Sequence, residues 1–188
     1  MNDVVESYVI GKQEGYFNVR LEYSILEEDQ QCREFFVSGY RSGKKARQRE
    51  ASKESDSRKK KFNSIRKSYI TIMGYKAAKE NYTVDSLLLK GDDNTAFEEG
   101  YQIGLLCKLG KNDALNGEEL DTYVMITGYE TTKEGYAVYL DMLKGKAGEM
   151  FELGYKVKTL CDDIKESAIE ELNNKQLDIM MSNKRKMN

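Results

Sequence analysis

An internal repeat is the feature that most constrains what this chain can fold into. When the sequence is shifted by 54 positions, residues 69–108 align without a gap on residues 123–162, with 17 identities in 40 positions. The matched pairs include Gly74 with Gly128 and Gly100 with Gly154. Similarity at one fixed offset indicates duplicated structural units, which bury their apolar faces by packing against one another.

A third, divergent copy is recognisable in the N-terminal region. The stretch KQEGY at 12–16 resembles AKENY at 78–82 and TKEGY at 132–136, and FFVSGYRSG at 35–43 resembles the later FEEGYQIG. We therefore predict three units. Their approximate limits are 1–60, which ends in a basic helix, 61–114, and 115–188, which ends in a helix and a basic tail.

The pattern within each unit is helical. Tyr75, Ala78, Lys79 and Tyr82 have the i, i+3, i+4, i+7 spacing of one helix face. The chain contains no proline, which suits helices almost throughout because proline interrupts them. The predicted fold class is all-α, with the three units packed as a bundle or as a short solenoid.

Four further elements are expected to be helical. Short helices are predicted at 84–91 and 138–145, although a strand remains possible at these positions. Good helix formers predict long helices from about Asp29 to about Ser57 and from Glu149 to about Met181. A capping box formed by Thr95 and Glu98 predicts the start of the second long helix of the middle unit.

The motif FEEGYQIG at 97–104 admits two interpretations. On a helix, Phe97, Gly100, Tyr101 and Gly104 share one stripe. The glycines could line a groove for a ligand or for a base stacked on tyrosine, or they could let a second helix approach closely. We favour the helix crossing, because no phosphate-binding loop of the GxGxxG or GxxxxGK[ST] type is present.

The composition argues against catalysis. The chain has no histidine, the commonest general base and metal ligand, and its acidic pairs point to different helix faces. Cys32, Cys107 and Cys161 form no CxxC pair, so we expect buried, free thiols in a reducing cytoplasm. We expect no enzyme activity, cofactor or metal. The first residues show no secretory signal, and no run approaches the ~20 apolar residues of a membrane span.

Charge is strongly segregated along the chain. Residues 41–67 carry 12 basic and 3 acidic side chains, a net charge of +9, whereas 1–40 and 68–188 carry −5 and −6. The charges between 41 and 53 spread over more than one helix face, which suits contact with a phosphate backbone more than base reading. Phe62 and Tyr69 lie near enough to add a stacking surface. The candidate binding residues are Arg41, Lys44, Lys45, Arg47, Arg49, Arg58, Lys59, Lys60, Lys61, Arg66 and Lys67.

Three interpretations of this block remain open: contact with nucleic acid or a nucleoprotein, docking onto an acidic protein groove, and an ordinary solvated helix.

The F-x-x-G-[YF]-x-x-G motif, in a small chain rich in Lys, Asn and Tyr, resembles short proteins of phages and mobile elements of Clostridia, which include anti-CRISPR proteins. The resemblance implies a stoichiometric inhibitor that binds a CRISPR nuclease with its guide RNA and blocks DNA binding or cleavage. It carries no site residues across. The alternative is a sequence-nonspecific DNA- or RNA-binding protein.

Overall fold

The computed structural model describes residues 3–21, 29–81 and 89–187, with side chains described as far as residue 175. These residues form helices and connecting turns, and no strand occurs among them. The α-helices are α1 (Asp3–Phe17), α2 (Gln30–Ala51), α3 (Asp56–Glu80), α4 (Asp92–Lys108), α5 (Gly117–Glu130), α6 (Lys133–Met142) and α7 (Gly145–Met187). A 3₁₀ turn, Asn112–Ala114, precedes α5. The all-α prediction is confirmed.

Three helix pairs form the framework: α1 with α2, α3 with α4, and α5 with α7. In the middle pair, glycines of each helix pack on the backbone of the other. A Cβ atom added at Gly100 would lie 1.8 Å from the carbonyl oxygen of Thr71, and one added at Gly74 would lie 2.0 Å from that of Phe97. Backbone therefore fills the space beside the glycines. The predicted helix crossing is confirmed, and the alternative of a glycine-lined ligand groove is wrong.

The same contacts recur in the other two pairs. A Cβ atom would lie 1.8 Å from a carbonyl oxygen at Gly154 and 2.1 Å from one at Gly128, and the corresponding distance is 2.2 Å at both Gly39 and Gly11. The contacts of α5 with α7 lie 54 positions after those of α3 with α4, the offset read from the sequence. Each crossing thus uses at least one glycine from each helix, and Gly15 and Gly43 add a second such pair of contacts between α1 and α2.

The register of the first unit differs from the one that the sequence suggests. The similarity of KQEGY to AKENY places Gly15 opposite Asn81. In the structure it is Gly11 that packs on the carbonyl of Phe36, as Gly74 packs on that of Phe97. The close approach of two backbones sets the register, because only a residue without a Cβ atom fits there.

The three pairs close into a bundle rather than a line, because α7 packs on both α1 and α3. Glu171 of α7 joins the first pair to the third. It accepts hydrogen bonds from the Tyr8 hydroxyl (2.7 Å) and the Lys12 ammonium (2.8 Å) of α1, and from the Ser42 hydroxyl (2.9 Å) of α2. The shared core lies between these helices, where the rings of Phe17 and Tyr69 stack with centroids 4.0 Å apart.

Several predicted boundaries need correction. The helix expected from Asp29 to Ser57 ends at Ala51. In place of a Thr95 cap, α4 begins at Asp92, and the Thr95 hydroxyl donates back to the Gly91 carbonyl. The first element of the third unit is interrupted at 131–132, and the piece predicted at 138–145 is the helix α6, which starts earlier and ends at Met142.

Some predictions concern residues that the structure does not describe, and others stay untested. Tyr82 and most of 84–91 lie outside the described residues. The three-unit division stays a prediction, and its first limit falls inside α3. Within the part of the chain that the structure describes, no helix combines the length and the apolar character needed to cross a lipid bilayer.

Candidate nucleic-acid interface

The basic block forms two helix ends and the turn between them. Residues 41–51 are the C-terminal half of α2, residues 52–55 are the turn, and residues 56–67 begin α3. This segment, 41–67, is called the cationic hairpin below. Its chain reverses because α2 closes at Ser52, whose amide donates to the Gln48 carbonyl (3.2 Å) and whose hydroxyl donates to the Arg49 carbonyl (2.8 Å).

Arg47 holds the base of the hairpin together. Its guanidinium group donates to both carboxylate oxygens of Glu54, at 2.6 and 2.8 Å, and lies 3.5 Å from the ring centroid of Phe62. These hydrogen bonds raise the pKa of Arg47 and lower the pKa of Glu54. Only 12% of the Arg47 side chain is exposed. The charge and the donors of Arg47 therefore serve the turn, and Arg47 adds little to the exposed cationic surface.

The guanidinium group of Arg66 is also bound within the protein. Its guanidinium group donates to the carboxylate oxygens of Asp93, at 2.7 and 2.5 Å, and to the carbonyl oxygens of Phe17 (2.7 Å) and Asn18 (3.3 Å). These carbonyls lie at the C-terminal end of α1, where helical backbone acceptors lack partners within the helix. Arg66 thus ties α1, α3 and α4 together, and its guanidinium group also adds little to the exposed cationic surface.

The other nine predicted binding residues are exposed: Arg41, Lys44, Lys45, Arg49, Arg58, Lys59, Lys60, Lys61 and Lys67. Among the described residues, only Lys59 of this set forms an ion pair, a 3.4 Å contact with Asp56 at the exposed start of α3. Lys53 in the turn is exposed as well. The structure therefore assembles a cationic surface from side chains of two helices.

The exposed cations are ordered on each helix. On α2, Arg41, Lys44, Lys45 and Arg49 follow helical spacing along one stripe, on the side opposite Gly43, which packs on α1. The spread over several faces that the sequence predicts comes from Arg47 and from the turn residue Lys53.

On α3, Lys60 and Lys67 lie two turns apart on the face opposite Phe62. Lys59 and Lys61 flank this face, and Arg58 lies in the first turn. Because Phe62 points toward Arg47 of α2, the lysine face of α3 points away from α2. The hairpin consequently presents cations on two outward faces and around its tip.

The predicted aromatic stacking surface is not present. Tyr69 is 1% exposed, and its ring lies on Phe17 within the core. Phe62 is half-buried; it carries Arg47 on its ring and packs against Phe17 (6.1 Å) and Tyr16 (5.8 Å). Both rings are used to hold α1, α2 and α3 together.

The remaining reactive groups do not form a site with the hairpin. Cys32 and Cys161 are buried and Cys107 is half-buried, and all three are free thiols. Burial raises the pKa of Cys161 to about 12, so this side chain stays a thiol at neutral pH. Within the described ranges, no three or more Cys, Asp or Glu side chains are grouped so that they could hold a metal ion.

Two pairs of adjacent acidic residues, Asp92–Asp93 and Glu98–Glu99, each contribute one side chain to a contact between helices. Asp93 is the partner of Arg66, and Glu99 accepts a 2.8 Å hydrogen bond from the Thr122 hydroxyl of α5. Sequence reasoning missed Glu54 and Asp93 as partners of the two arginines. The only local signal is Glu54 itself, one of three acidic residues in the basic block.

Comparisons of the chain with protein-family models, with curated proteins and with solved structures found no match. The resemblance to mobile-element proteins therefore rests on the eight-residue motif and the composition alone. The fold and the surface define an all-helical bundle with a protruding set of cations. Any function must be inferred from that surface.

Proposed function

We propose that the protein is a non-catalytic binding protein that contacts the nucleic acid of a nucleoprotein through its cationic hairpin. The observation that carries the proposal is the set of ten exposed cations within 27 residues, the nine predicted residues and Lys53, in a chain whose other segments are net acidic. Surfaces of one charge sign attract polyanions at long range, and each phosphate that they neutralise adds salt-sensitive affinity.

The resemblance to anti-CRISPR proteins suggests the form of this activity, a stoichiometric inhibitor in the bacterial cytoplasm. The target would be a CRISPR nuclease loaded with its guide RNA. The hairpin would contact the guide RNA or compete for the DNA path. Exposed acids on the outer face of α7, such as Asp163, Glu166 and Glu170, would occupy cationic channels of the nuclease.

Mixing the protein with a guide-loaded nuclease tests this proposal. Co-elution in gel filtration and loss of DNA cleavage at one equivalent are the expected results. A hairpin variant with Lys44, Lys45, Lys60 and Lys67 changed to Glu should lose both. A matched control that changes Lys90, Lys111, Lys133 and Lys144 to Glu alters the net charge equally, at exposed positions outside the hairpin, and should retain both. Absence of co-elution and of inhibition would contradict the inhibitor proposal.

A second candidate is direct, sequence-nonspecific binding of DNA or RNA. It is favoured by the composition of the exposed set, seven lysines and three arginines, because lysine contacts phosphate as a point charge and does not form a rigid fork. Gel-shift affinity should then fall steeply between about 50 and 200 mM salt. An affinity that does not change with salt would reject this candidate.

A further inference from the structure

Resting on the proposed function, we infer that the ligand of the cationic hairpin is the phosphate backbone of a double-stranded nucleic acid, bound without base stacking and without base reading. The inference concerns the class of nucleic acid, which the charge count alone leaves open. Three features of the hairpin support it: the enclosed aromatic rings, the geometry of the cations, and the engagement of two of its five arginines.

The first feature is the lack of a stacking platform. Sites for single strands combine cations with aromatic rings on which successive bases stack, each worth about 1–3 kcal/mol. Phe62 is the one aromatic residue of segment 41–67, and Arg47 covers its ring at 3.5 Å. The next ring along α3 is that of Tyr69, which is buried in the core. A single strand would find charge on this surface, but no exposed ring within segment 41–67.

The second feature is the spacing of the cations on α2. Arg41 and Arg49 are eight residues apart, which is about 12 Å along a helix. Lys44 and Lys45 lie between them on the same exposed stripe. Each strand of a duplex carries one phosphate per ~3.4 Å of axis, so the stripe spans about three or four phosphates. A row of four cations on one helix therefore matches the regularly spaced phosphates of a duplex, which a flexible single strand does not offer.

The lysine face of α3 extends this surface. Lys60 and Lys67 are separated by about 10 Å along the helix and point away from α2. Cations on two outward faces can contact phosphates on two sides of the hairpin. Each contact with a duplex also releases more counterion than a contact with a single strand, with salt slopes of about −0.9 against −0.7 per phosphate.

The third feature concerns base recognition. Arginine reads guanine through a bidentate fork. Two of the five arginines in segment 41–67 have their forks bound within the protein, Arg47 to Glu54 and Arg66 to Asp93. Three exposed arginines remain: Arg41, Arg49 and Arg58. The exposed set consists mostly of lysines on long, mobile stems. Contacts from such side chains fix affinity and position, whereas base contacts fix specificity. We therefore expect little dependence on sequence.

Fluorescence anisotropy with labelled 20-mers tests the inference. The probes are a DNA duplex, an RNA duplex of the same sequence, a scrambled duplex of each kind and the single strand dT20, at 50, 100 and 200 mM salt. We expect at least tenfold tighter binding of a duplex than of dT20 at 100 mM salt, and at most a twofold difference between scrambled sequences. Comparison of the two duplexes shows whether the DNA or the RNA form is preferred.

Charge variants test whether duplex binding depends on the cations of the hairpin. Changing Lys60 and Lys67 to Glu should weaken duplex binding at least tenfold and make its salt slope shallower. The matched change of Lys133 and Lys144 to Glu should leave the affinity within about threefold. Circular dichroism of each variant should match that of the original protein, since all four side chains are exposed.

Two outcomes would overturn the inference. Equal or tighter binding of dT20 would refute the duplex assignment while leaving nucleic-acid binding intact. Absence of binding to every probe at 50 mM salt would also refute it. In that second case, co-elution with a guide-loaded nuclease that is lost in the hairpin variant would show that the proposed function survives, because the hairpin would then contact the guide RNA only within the complex.

Discussion

The backbone of Gly100 lies directly against the carbonyl oxygen of Thr71, so that a Cβ atom at position 100 would be 1.8 Å from that oxygen. A real Cβ atom does not approach an oxygen so closely. The glycine costs its helix about 1 kcal/mol relative to alanine, and the close helix contact offsets that cost through packing and through weak Cα–H···O contacts. Helix propensity and tertiary packing therefore make opposite predictions for this position.

Gly100→Ala is predicted to destabilise the protein by at least about 2 kcal/mol, because α3 and α4 must separate to admit the methyl group. Gly104→Ala should cost less, since its added Cβ atom would lie 2.6 Å from the Tyr75 carbonyl oxygen and 2.8 Å from the Ala78 Cβ atom. Urea unfolding followed by circular dichroism measures both. Gln102→Ala, on the exposed side of the same helix, is the control and should change the stability by at most about 0.5 kcal/mol. A stabilised Gly100→Ala variant would contradict the prediction.

Much of the fold could be predicted from the sequence, because its determinants are periodic and local. The repeat marked Gly100 and Gly154 as equivalent, and the helical spacing placed both on a packing face. The register of the first unit could not be read in the same way. KQEGY resembles its counterparts in charge and aromatic content, but the crossing depends on the positions that lack a Cβ atom, and the position that corresponds to Gly74 is Gly11.

The sequence located the basic segment of the candidate site, but it did not show which of its arginines are bound within the protein. A count of charges treats Arg47 and Arg66 like their neighbours, because it contains no information about partners. Glu54 lies seven residues after Arg47 across a turn, and Asp93 lies 27 residues after Arg66 in another helix. The turn at 52–55 falls within the helix predicted from about Asp29 to about Ser57, because the residues on either side of the turn are good helix formers.

Arg47→Lys is predicted to destabilise the hairpin, although it keeps the charge. Lysine cannot reproduce the two parallel hydrogen bonds to Glu54 or the planar contact with Phe62, which is worth about 0.5–1 kcal/mol or more when desolvated. The urea midpoint should fall for Arg47→Lys and fall further for Arg47→Ala. Lys44→Ala, an exposed change on the same helix, should leave it unchanged.

A double-mutant cycle identifies the pair that is responsible. If the hydrogen bonds between Arg47 and Glu54 hold the turn, the effects of Arg47→Ala and Glu54→Ala should be less than additive, because either change alone already removes them. Strict additivity would show that the two side chains act independently, and would contradict this account of the turn.

The contacts of Glu171 predict a specific dependence of stability on pH. Burial raises the pKa of Glu171, but hydrogen bonds from Lys12, Tyr8 and Ser42 and the charge of Lys12 outweigh this effect, so its pKa lies below the ordinary value. A carboxyl with a lower pKa in the folded than in the unfolded protein stabilises the fold above its unfolded pKa, roughly 4.3. That contribution is lost as the pH falls through the folded pKa.

The comparison with Glu171→Gln isolates this contribution. The variant should be less stable than the original protein at pH 7, by an amount that stays constant down to about pH 5 and narrows below about pH 4. Urea midpoints at pH 7, 5, 4 and 3 measure the difference, in which the titration of other carboxyls cancels. A gap that persists at pH 3 would mean that the ionised carboxylate contributes nothing, and that only shape matters.

The three cysteines are predicted to differ in reactivity. Cys32 is 2% exposed and Cys161 is 3% exposed, whereas Cys107 is half-buried. Only the thiolate reacts quickly with a disulfide reagent, and burial raises the pKa of Cys107 as well. Native protein at pH 8 should therefore release about one equivalent of thionitrobenzoate from Ellman's reagent, slowly, and three in urea. Cys107→Ser should abolish the native reaction, because the other two thiols react only after the bundle opens. Fast release of two or more equivalents from native protein would show that the helix pairs separate readily, against the close glycine packing that holds them.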